Sequence, residues 1–353
     1  MSVSKRVAVV GGGIVGLVAA LELSELPGVS VTLYDPAPGT GATYAAAGML
    51  AAAAEARPDE FESYELQLQS IPGWLSVFAR IGIDDSHLHR SGTLYVGFDA
   101  SDRRQLEQLR SVILAHGAEF EDVRRSDVLD LFAGLHPNIQ SGLFLPTDAW
   151  VDPDLVVKAL IEVLKSREVS FVEEKVVSCS NEGAVSTNAG ASHFSAVLLA
   201  TGSAALGANF PRTVNSVRPV RGITAHLHVG GVPTGPMVRA FVRGRDFYAV
   251  NRGDGNFVIG ASSEERSEMG VELGELERLF RDASEVMPFL EGSVVGEIRR
   301  GLRPASASND PFLERAPDSR VAYSSGHFRH GITLAPVSAS ATAQLVKEIL
   351  DEG

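Results

Sequence analysis

A single cysteine, Cys179, stands in the whole chain, which excludes an internal disulfide and any cysteine-based metal cluster. Its place among Val176, Val177 and Ser178 suggests a strand and a plain buried thiol. Histidines are scattered and never fall at H-x-x-x-H or H-E-x-x-H spacing, so no metal centre is expected. Basic residues are the minority charge: 31 Lys and Arg against 44 Asp and Glu give a net charge of −13. That balance argues against nucleic acid and anionic membranes as partners. The apolar run Val7–Leu21 has 15 residues, short of the roughly 20 that span a bilayer. Lys5-Arg6 before it imitates a signal peptide, but three consecutive glycines interrupt the apolar stretch, and a cytoplasmic protein is expected. At 353 residues the chain has length for about two domains. A homo-oligomer is compatible with the sequence and not specified by it.

What is present is organised around Lys5–Asp35. Val7-Ala8-Val9-Val10 reads as one buried strand, and Gly11-x-Gly13-x-x-Gly16 opens a helical pattern running to Leu26. Pro27-Gly28 stops the helix, Val29 to Tyr34 reads as a second strand, and Asp35 ends it. Gly11 permits the tight turn, Gly13 lets a pyrophosphate approach the backbone, and Gly16 lets helix and strand pack closely. Asp35 lies 22 residues after Gly13, where a carboxylate can bond ribose hydroxyls. The arrangement predicts a dinucleotide site, and leaves NAD and FAD both open.

Further along, the stretch Ala42 to Glu55 is built almost wholly of small residues. It reads equally as an alanine-rich helix or as a loop pressed against a flat ring. Phe61 to Arg80 reads as an amphipathic helix, and Ser91 to Gly97 as a strand. Asp102 to His116 reads as a charged helix, Gly142 to Leu145 as a strand, and Asp148 to Pro153 as a loop. Asp152 or Asp154 can cap a helix from Leu155 to Leu164. Val169 to Cys179 and Ala196 to Ala200 return to strand patterns, the latter closed by Thr201-Gly202. A strand ending Ala-Thr-Gly after an N-terminal GxGxxG is more typical of flavoproteins than of nicotinamide dehydrogenases. Thr224–Val229, Met237–Val242, Phe247–Val250 and Asn256–Ile259 form a β-rich block, followed by a helix from Gly274 to Met287. The chain ends with a strand Arg320–Ser324, a loop Gly326–Gly331 and a helix Val337–Leu350.

The stretches VAVVGGGIVGLVAALEL, GATYAAAGMLAAAAEA, SGTLYV, GLFLPTDAWVDP, RPVRGI, GLRP and SGHFRHGITLAP lie in order between residues 7 and 336. Together they resemble the D-amino-acid oxidase superfamily, and within it the glycine oxidases of bacterial thiamine biosynthesis. The resemblance implies an α/β protein with a discontinuous Rossmann-like FAD-binding domain (residues 1–86, 150–216 and 303–353). A second, α+β domain with a mixed substrate-binding sheet would comprise residues 87–149 and 217–302. It also implies FAD rather than NAD, and the alanine run as a flavin-contacting loop. Gly11, Gly13, Ile14, Val15, Gly16, Asp35, Thr43, Ala46, Ala47, Gly48 and Met49 would then contact FAD. So would Val176 at the adenine, Ala200, Thr201 and Gly202, and the run His327, Phe328, Arg329, His330, Gly331, Ile332 and Thr333 along the pyrimidine edge. No cysteine lies near that last loop, so FAD is expected to be non-covalent.

By the same resemblance, Arg303 and Arg329 hold the substrate carboxylate and Tyr248 assists them. A guanidinium offers the planar fork that a carboxylate matches. The implied reaction is hydride transfer from the substrate Cα to flavin N5. Imine hydrolysis to a 2-oxo acid and an amine follows, and O2 is reduced to H2O2. Asp246 stands in place of a usual histidine, Ser263 where a bulkier pocket residue is common, and His330 where asparagine is common. These departures raise an alternative substrate, an N-substituted glycine cleaved to glyoxylate and a larger amine. Arg239, Arg243, Arg245 and Arg252 form either a field for acidic substrates or a solvated strand face. Other readings are a flavin dehydrogenase using a different acceptor, and a flavin-binding module without amine chemistry.

Overall fold

The run Val7–Val10 is apolar on both alternating faces because both faces of its strand are covered. In the computed structural model, which describes residues 5–352 except 59, 140, 205–208, 212, 214, 215 and 232–234, it becomes strand Lys5–Val10. That strand pairs in parallel with Val29–Tyr34 on one side and Ala196–Leu199 on the other. The sheet has six strands, in the order Phe312–Arg315, Val321–Ser325, Ala196–Leu199, Lys5–Val10, Val29–Tyr34 and Ser170–Val172. Its outermost strand Phe312–Arg315 is antiparallel to its neighbour. Val7 and Val9 point into a core shared with helices Ile14–Ser24, Pro153–Ser166 and Gly331–Glu352. Ala8 and Val10 point the other way, against Val185 and Cys179 of a three-stranded antiparallel sheet and Phe194 just after its last strand. Cys179 is buried there, and its thiol is pushed up to about 12 by desolvation.

An eight-stranded mixed sheet forms the second body of the fold. Its order is Val294–Ala305, Arg218–His228, Asn256–Gly260, Arg245–Gly253, Met237–Val242, Thr93–Gly97, Ser141–Leu145 and Glu121–Arg124. Helix Ala100–Ala115 packs on it, started by a reciprocal cap between Asp99 and Asp102. A short ribbon, Met49–Leu50 against Ala149–Trp150, ties the alanine-rich stretch to the loop before helix Pro153–Ser166. Among the described residues no helix is long and apolar enough to cross a membrane.

Several elements differ from the sequence expectation for identifiable reasons. Phe61–Arg80 is two helices, Phe61–Ser70 and Gly73–Ile81, because Pro72 cannot continue the first one. Val169–Cys179 is two short strands, since the charged Glu173-Glu174-Lys175 leaves the buried sheet at Val172. The last helix begins at Gly331 rather than Val337 and contains Pro336. Its next N–H, Val337, donates to Ser70 Oγ at 3.2 Å. Gly301-Leu302-Arg303-Pro304, for which the sequence suggested no element, lies inside the long strand Val294–Ala305. The alanine-rich stretch is a loop of turns, not a helix. Asp152 is the cap of helix Pro153–Ser166, accepting the Asp154 N–H at 3.0 Å.

Candidate cofactor and substrate site

The glycine-rich turn opens the site. Gly11 has φ of +111°, and a Cβ there would collide with the Ala200 carbonyl on the adjacent strand. Gly16 faces the Gly11 carbonyl with no room for a side chain. Gly13 caps helix Ile14–Ser24 without a side chain, and the first turn carries no acidic residue. The helix therefore presents its positive end to the cavity that Gly13, Ile14 and Val15 line. Ile14 N–H donates to Thr43 Oγ1 at 3.0 Å, tying the turn to the alanine-rich loop. Asp35 accepts the Gly12 N–H at 2.6 Å and the Ala37 N–H at 2.8 Å.

The cavity, of about 320 Å³, collects most of the residues singled out by sequence. Gly11, Asp35, Thr43, Ala46 to Met49 and Ala200 to Gly202 line it, with His327, Phe328, Arg329, Gly331 and Ile332 from the C-terminal segment. Tyr248 and Arg303 line it from the eight-stranded sheet. Two helix N-termini, at Ile14 and Gly331, thus open onto one space. Four predicted residues do not line it. Gly16 packs behind the turn, and Val176 is buried in the core between the two sheets of the first body. Thr333 Oγ1 donates to the Met49 carbonyl at 3.2 Å, and His330 is buried with Nδ1 3.2 Å from Glu55 Oε2.

Arg303 is the cation best placed to meet a ligand. It is half-buried, and among the described residues it makes no ion pair. Its Nη1 donates to the Ser262 carbonyl at 3.1 Å. Desolvation lowers its affinity for its proton relative to an exposed arginine, an effect that an arriving carboxylate would reverse. Gly222, on the neighbouring strand, makes the space: any Cβ there would overlap the Arg303 guanidinium. Tyr248 is placed in the same way over Gly260, its partner across the ladder. Burial pushes the Tyr248 phenol up to about 12, so it is a neutral hydrogen-bond donor.

Arg329 lines the cavity but is already engaged. Its Nη2 lies 2.6 Å from Glu60 Oε2 and donates to the Glu55 carbonyl at 3.2 Å, and its Nε lies 3.3 Å from Glu55 Oε2. Glu55 also pairs with buried Arg239 at 2.9 Å. Burial opposes its ionisation, but the Arg239 and Arg329 guanidiniums outweigh it and hold the carboxyl down at about 2. His330 is driven down to about 3 by burial and by Arg329, and His327 to about 4 by burial, so both are neutral.

The departures noted in sequence take definite places. Asp246 accepts from Tyr95 Oη at 2.9 Å and pairs with Arg57 at 3.6 Å, at the edge of the charge cluster. Ser263 is exposed and lines no wall; its neighbour Ser262 supplies the carbonyl that Arg303 uses. The four arginines form no common field. Arg239 pairs with Glu55, Arg243 with Glu285, Arg245 with Asp282, and Arg252 lies over Trp150 donating to the Val151 and Ala47 carbonyls. Sequence reasoning did not single out Glu55, Gly222 or Gly301 as parts of the site. Glu55 had a legible signal, as the first charge after 19 uncharged residues following Asp35.

Comparison with known proteins places this geometry. A glycine oxidase of Bacillus licheniformis is 28% identical over 355 residues, covering 96% of this chain and 92% of its own. The crystal structure of glycine oxidase from Geobacillus kaustophilus superposes with a TM-score of 0.86 at 24% identity, over 98% of this chain and 95% of that one. Iminodiacetate oxidase from Chelativorans sp. BNC1 superposes with a TM-score of 0.85 at 23% identity, covering 97% and 95% of the two chains. The family model for FAD dependent oxidoreductases of the DAO type matches residues 6–345. With nearly its whole length inside that match, the chain belongs to the DAO family of FAD-dependent oxidoreductases.

Proposed function

We propose that this enzyme oxidises glycine or a simple N-substituted glycine, with oxygen as electron acceptor. The products would be a 2-oxo acid, an amine or ammonia, and hydrogen peroxide. The observation that carries the reading is Arg303: a half-buried, partly desolvated guanidinium without an ion pair among the described residues, in a recess made by Gly222 and beside Tyr248. Such a group is matched by a carboxylate.

The residues present suit FAD. Gly11 and Gly13 leave bare backbone at a helix N-terminus, where a pyrophosphate is favoured. Ala45 to Gly48 offer a wall without bulky side chains, and the Gly331 helix brings a second positive end to the same cavity. Val176, predicted at the adenine, would act through its backbone from the core edge. Cys179 is buried on the far face of the six-stranded sheet, so a thioether to flavin is not expected. When bound, the flavin supplies the two-electron acceptor for the substrate Cα–H.

In this reading Arg303 and Tyr248 fix the carboxylate, and so fix which face of Cα is presented to the cofactor. Positioning of this kind lowers the barrier without a protein acid or base at the reacting carbon. The test is an anaerobic titration of the FAD-loaded enzyme followed by a peroxide assay. The substrates are glycine, sarcosine, N-alkyl glycines, D-alanine and D-proline. Loss of the yellow flavin absorbance with a glycine-type amine, and one peroxide per turnover in air, is the expected result. No bleaching by any of them overturns the amine reading; bleaching without peroxide, with an artificial dye still reduced, overturns the oxidase part.

A further inference from the structure

We propose that the substrate cavity accepts a ligand carrying one negative charge, and that Glu55 and Glu60 exclude a second carboxylate by occupying Arg329. This deepens the amine-oxidase reading by naming the charge of the nitrogen substituent.

The residues lining the cavity include four that carry charge: Asp35, Glu55, Arg303 and Arg329. Asp35 belongs to the nucleotide end, bonded to the Gly12 and Ala37 N–H groups. At the other end, charges alternate along one chain of contacts, Arg239–Glu55–Arg329–Glu60. Two positive and two negative groups cancel, and buried His330, which touches Glu55, is neutral. Arg57 and Asp246 form a further pair beside them. Arg252 sits behind the alanine-rich loop, on Trp150 and two backbone carbonyls, and does not line the cavity. What remains facing the cavity is the single positive charge of Arg303.

A glycine-type substrate reacting as its neutral amine brings one carboxylate, and the site becomes neutral. An N-carboxymethyl group brings a second carboxylate. Both cations that could meet it are taken, and the wall nearest Arg329 is the Glu55 carboxylate. A buried charge without a partner is costly, so discrimination of about 100-fold or more is expected between one and two carboxylates. Glu60 is the outer of the two acids, and replacing it leaves Arg329 shared with Glu55 alone.

The FAD-loaded enzyme is assayed with sarcosine and with iminodiacetate. Wild type should show kcat/KM higher for sarcosine by about 100-fold, and Glu60→Gln should shrink that ratio about 10-fold, mainly through KM of the dicarboxylate. A wild-type ratio near unity overturns the proposal, as does an unchanged ratio in a folded, FAD-loaded Glu60→Gln enzyme. A binding measurement separates this from the oxidase reading: titrate the flavin absorbance of wild type with acetate and with malonate. Perturbation by acetate at concentrations where malonate has no effect supports the charge rule even if no amine is oxidised. Equal perturbation by both overturns it, whatever the turnover results.

Discussion

Asp148 offers a stability test whose sign and size follow from its surroundings. Its carboxyl is fully buried beneath the loop that carries Glu55, and Oδ1 accepts the Ala53 N–H at 3.2 Å. Oδ2 has no hydrogen-bond partner among the described residues. Desolvation pushes its pKa from 3.8 up to about 7, against the pull of the Thr93 hydroxyl first, then of the Ala53 N–H, Arg239 and the Ala54 N–H. A carboxyl raised on folding stabilises the fold fully below its unfolded pKa, and that stabilisation is lost as pH rises through the folded value. Asn keeps the shape and the acceptor, stays neutral, and removes the titration. From pH 4 to pH 8 the Asp148→Asn enzyme should therefore gain on wild type by about 4 kcal/mol, from three pKa units at ~1.4 kcal/mol each. The assay is urea unfolding of both proteins at matched excess FAD, with the difference in unfolding free energy plotted against pH. A near-zero difference at pH 4 that grows with pH is the expected curve. A flat difference would mean that Asp148 ionises normally in the folded state, and the reasoning would fail.

Three further outcomes concern the site. Arg303→Met should keep the bound-flavin spectrum while raising KM for a glycine-type substrate by about 100-fold, since its partner carboxylate is left buried and unpaired; steady-state kinetics decide it. Gly222→Ala drives a Cβ into the Arg303 guanidinium and should raise KM about 10-fold with FAD affinity unchanged, which flavin titration and kinetics check together. Arg252→Met frees the Ala47 and Val151 carbonyls and should weaken FAD binding by about 10-fold, from losing hydrogen bonds worth roughly 1.5 kcal/mol or more, as measured by fluorescence titration.

The glycine-rich turn was readable because its requirements are local. A positive φ at Gly11, contact of Gly16 with the Gly11 carbonyl and the bare cap at Gly13 each need glycine within one turn of chain. The resemblance pointed to most of the remaining cavity wall, and Arg303 and Tyr248 line the same cavity. The engagement of Arg329 was not readable, because Glu55 and Glu60 lie some 270 residues away in sequence and reach it only through folding. Ser263 lies exposed beyond the end of the strand Asn256–Gly260 and outside the cavity lining, while the backbone carbonyl of its neighbour Ser262, which no side-chain pattern reveals, is what Arg303 meets. The split at Pro72 was legible and passed over, since apolar periodicity continues across it while the backbone cannot.

Why the alanine-rich stretch is a loop, against the helix propensity of its residues, follows from what surrounds it. Five of the six carbonyls from Tyr44 to Met49 accept bonds from outside the segment. Arg299 Nη1 reaches Tyr44 at 3.1 Å, Thr224 Oγ1 reaches Ala45 at 3.2 Å, and Arg252 Nη2 holds Ala47. Val151 N–H donates to Gly48 at 2.9 Å, and Thr333 Oγ1 to Met49 at 3.2 Å. A helix would need several of those carbonyls for itself, and alanine's preference of well under 1 kcal/mol per residue does not compete with that set. The side chains must also be small on both sides. A Cβ on Gly301 would stand 3.0 Å from both Ala42 Cα and Ala45 Cβ, while Ala45 to Gly48 line the cavity itself. The strand bearing Arg303 therefore lies directly against the loop that walls the cavity, through Gly301 two residues before it. Small residues in two distant stretches hold Arg303, the proposed carboxylate anchor, and the proposed cofactor wall at fixed separation, and enlarging either would move one against the other.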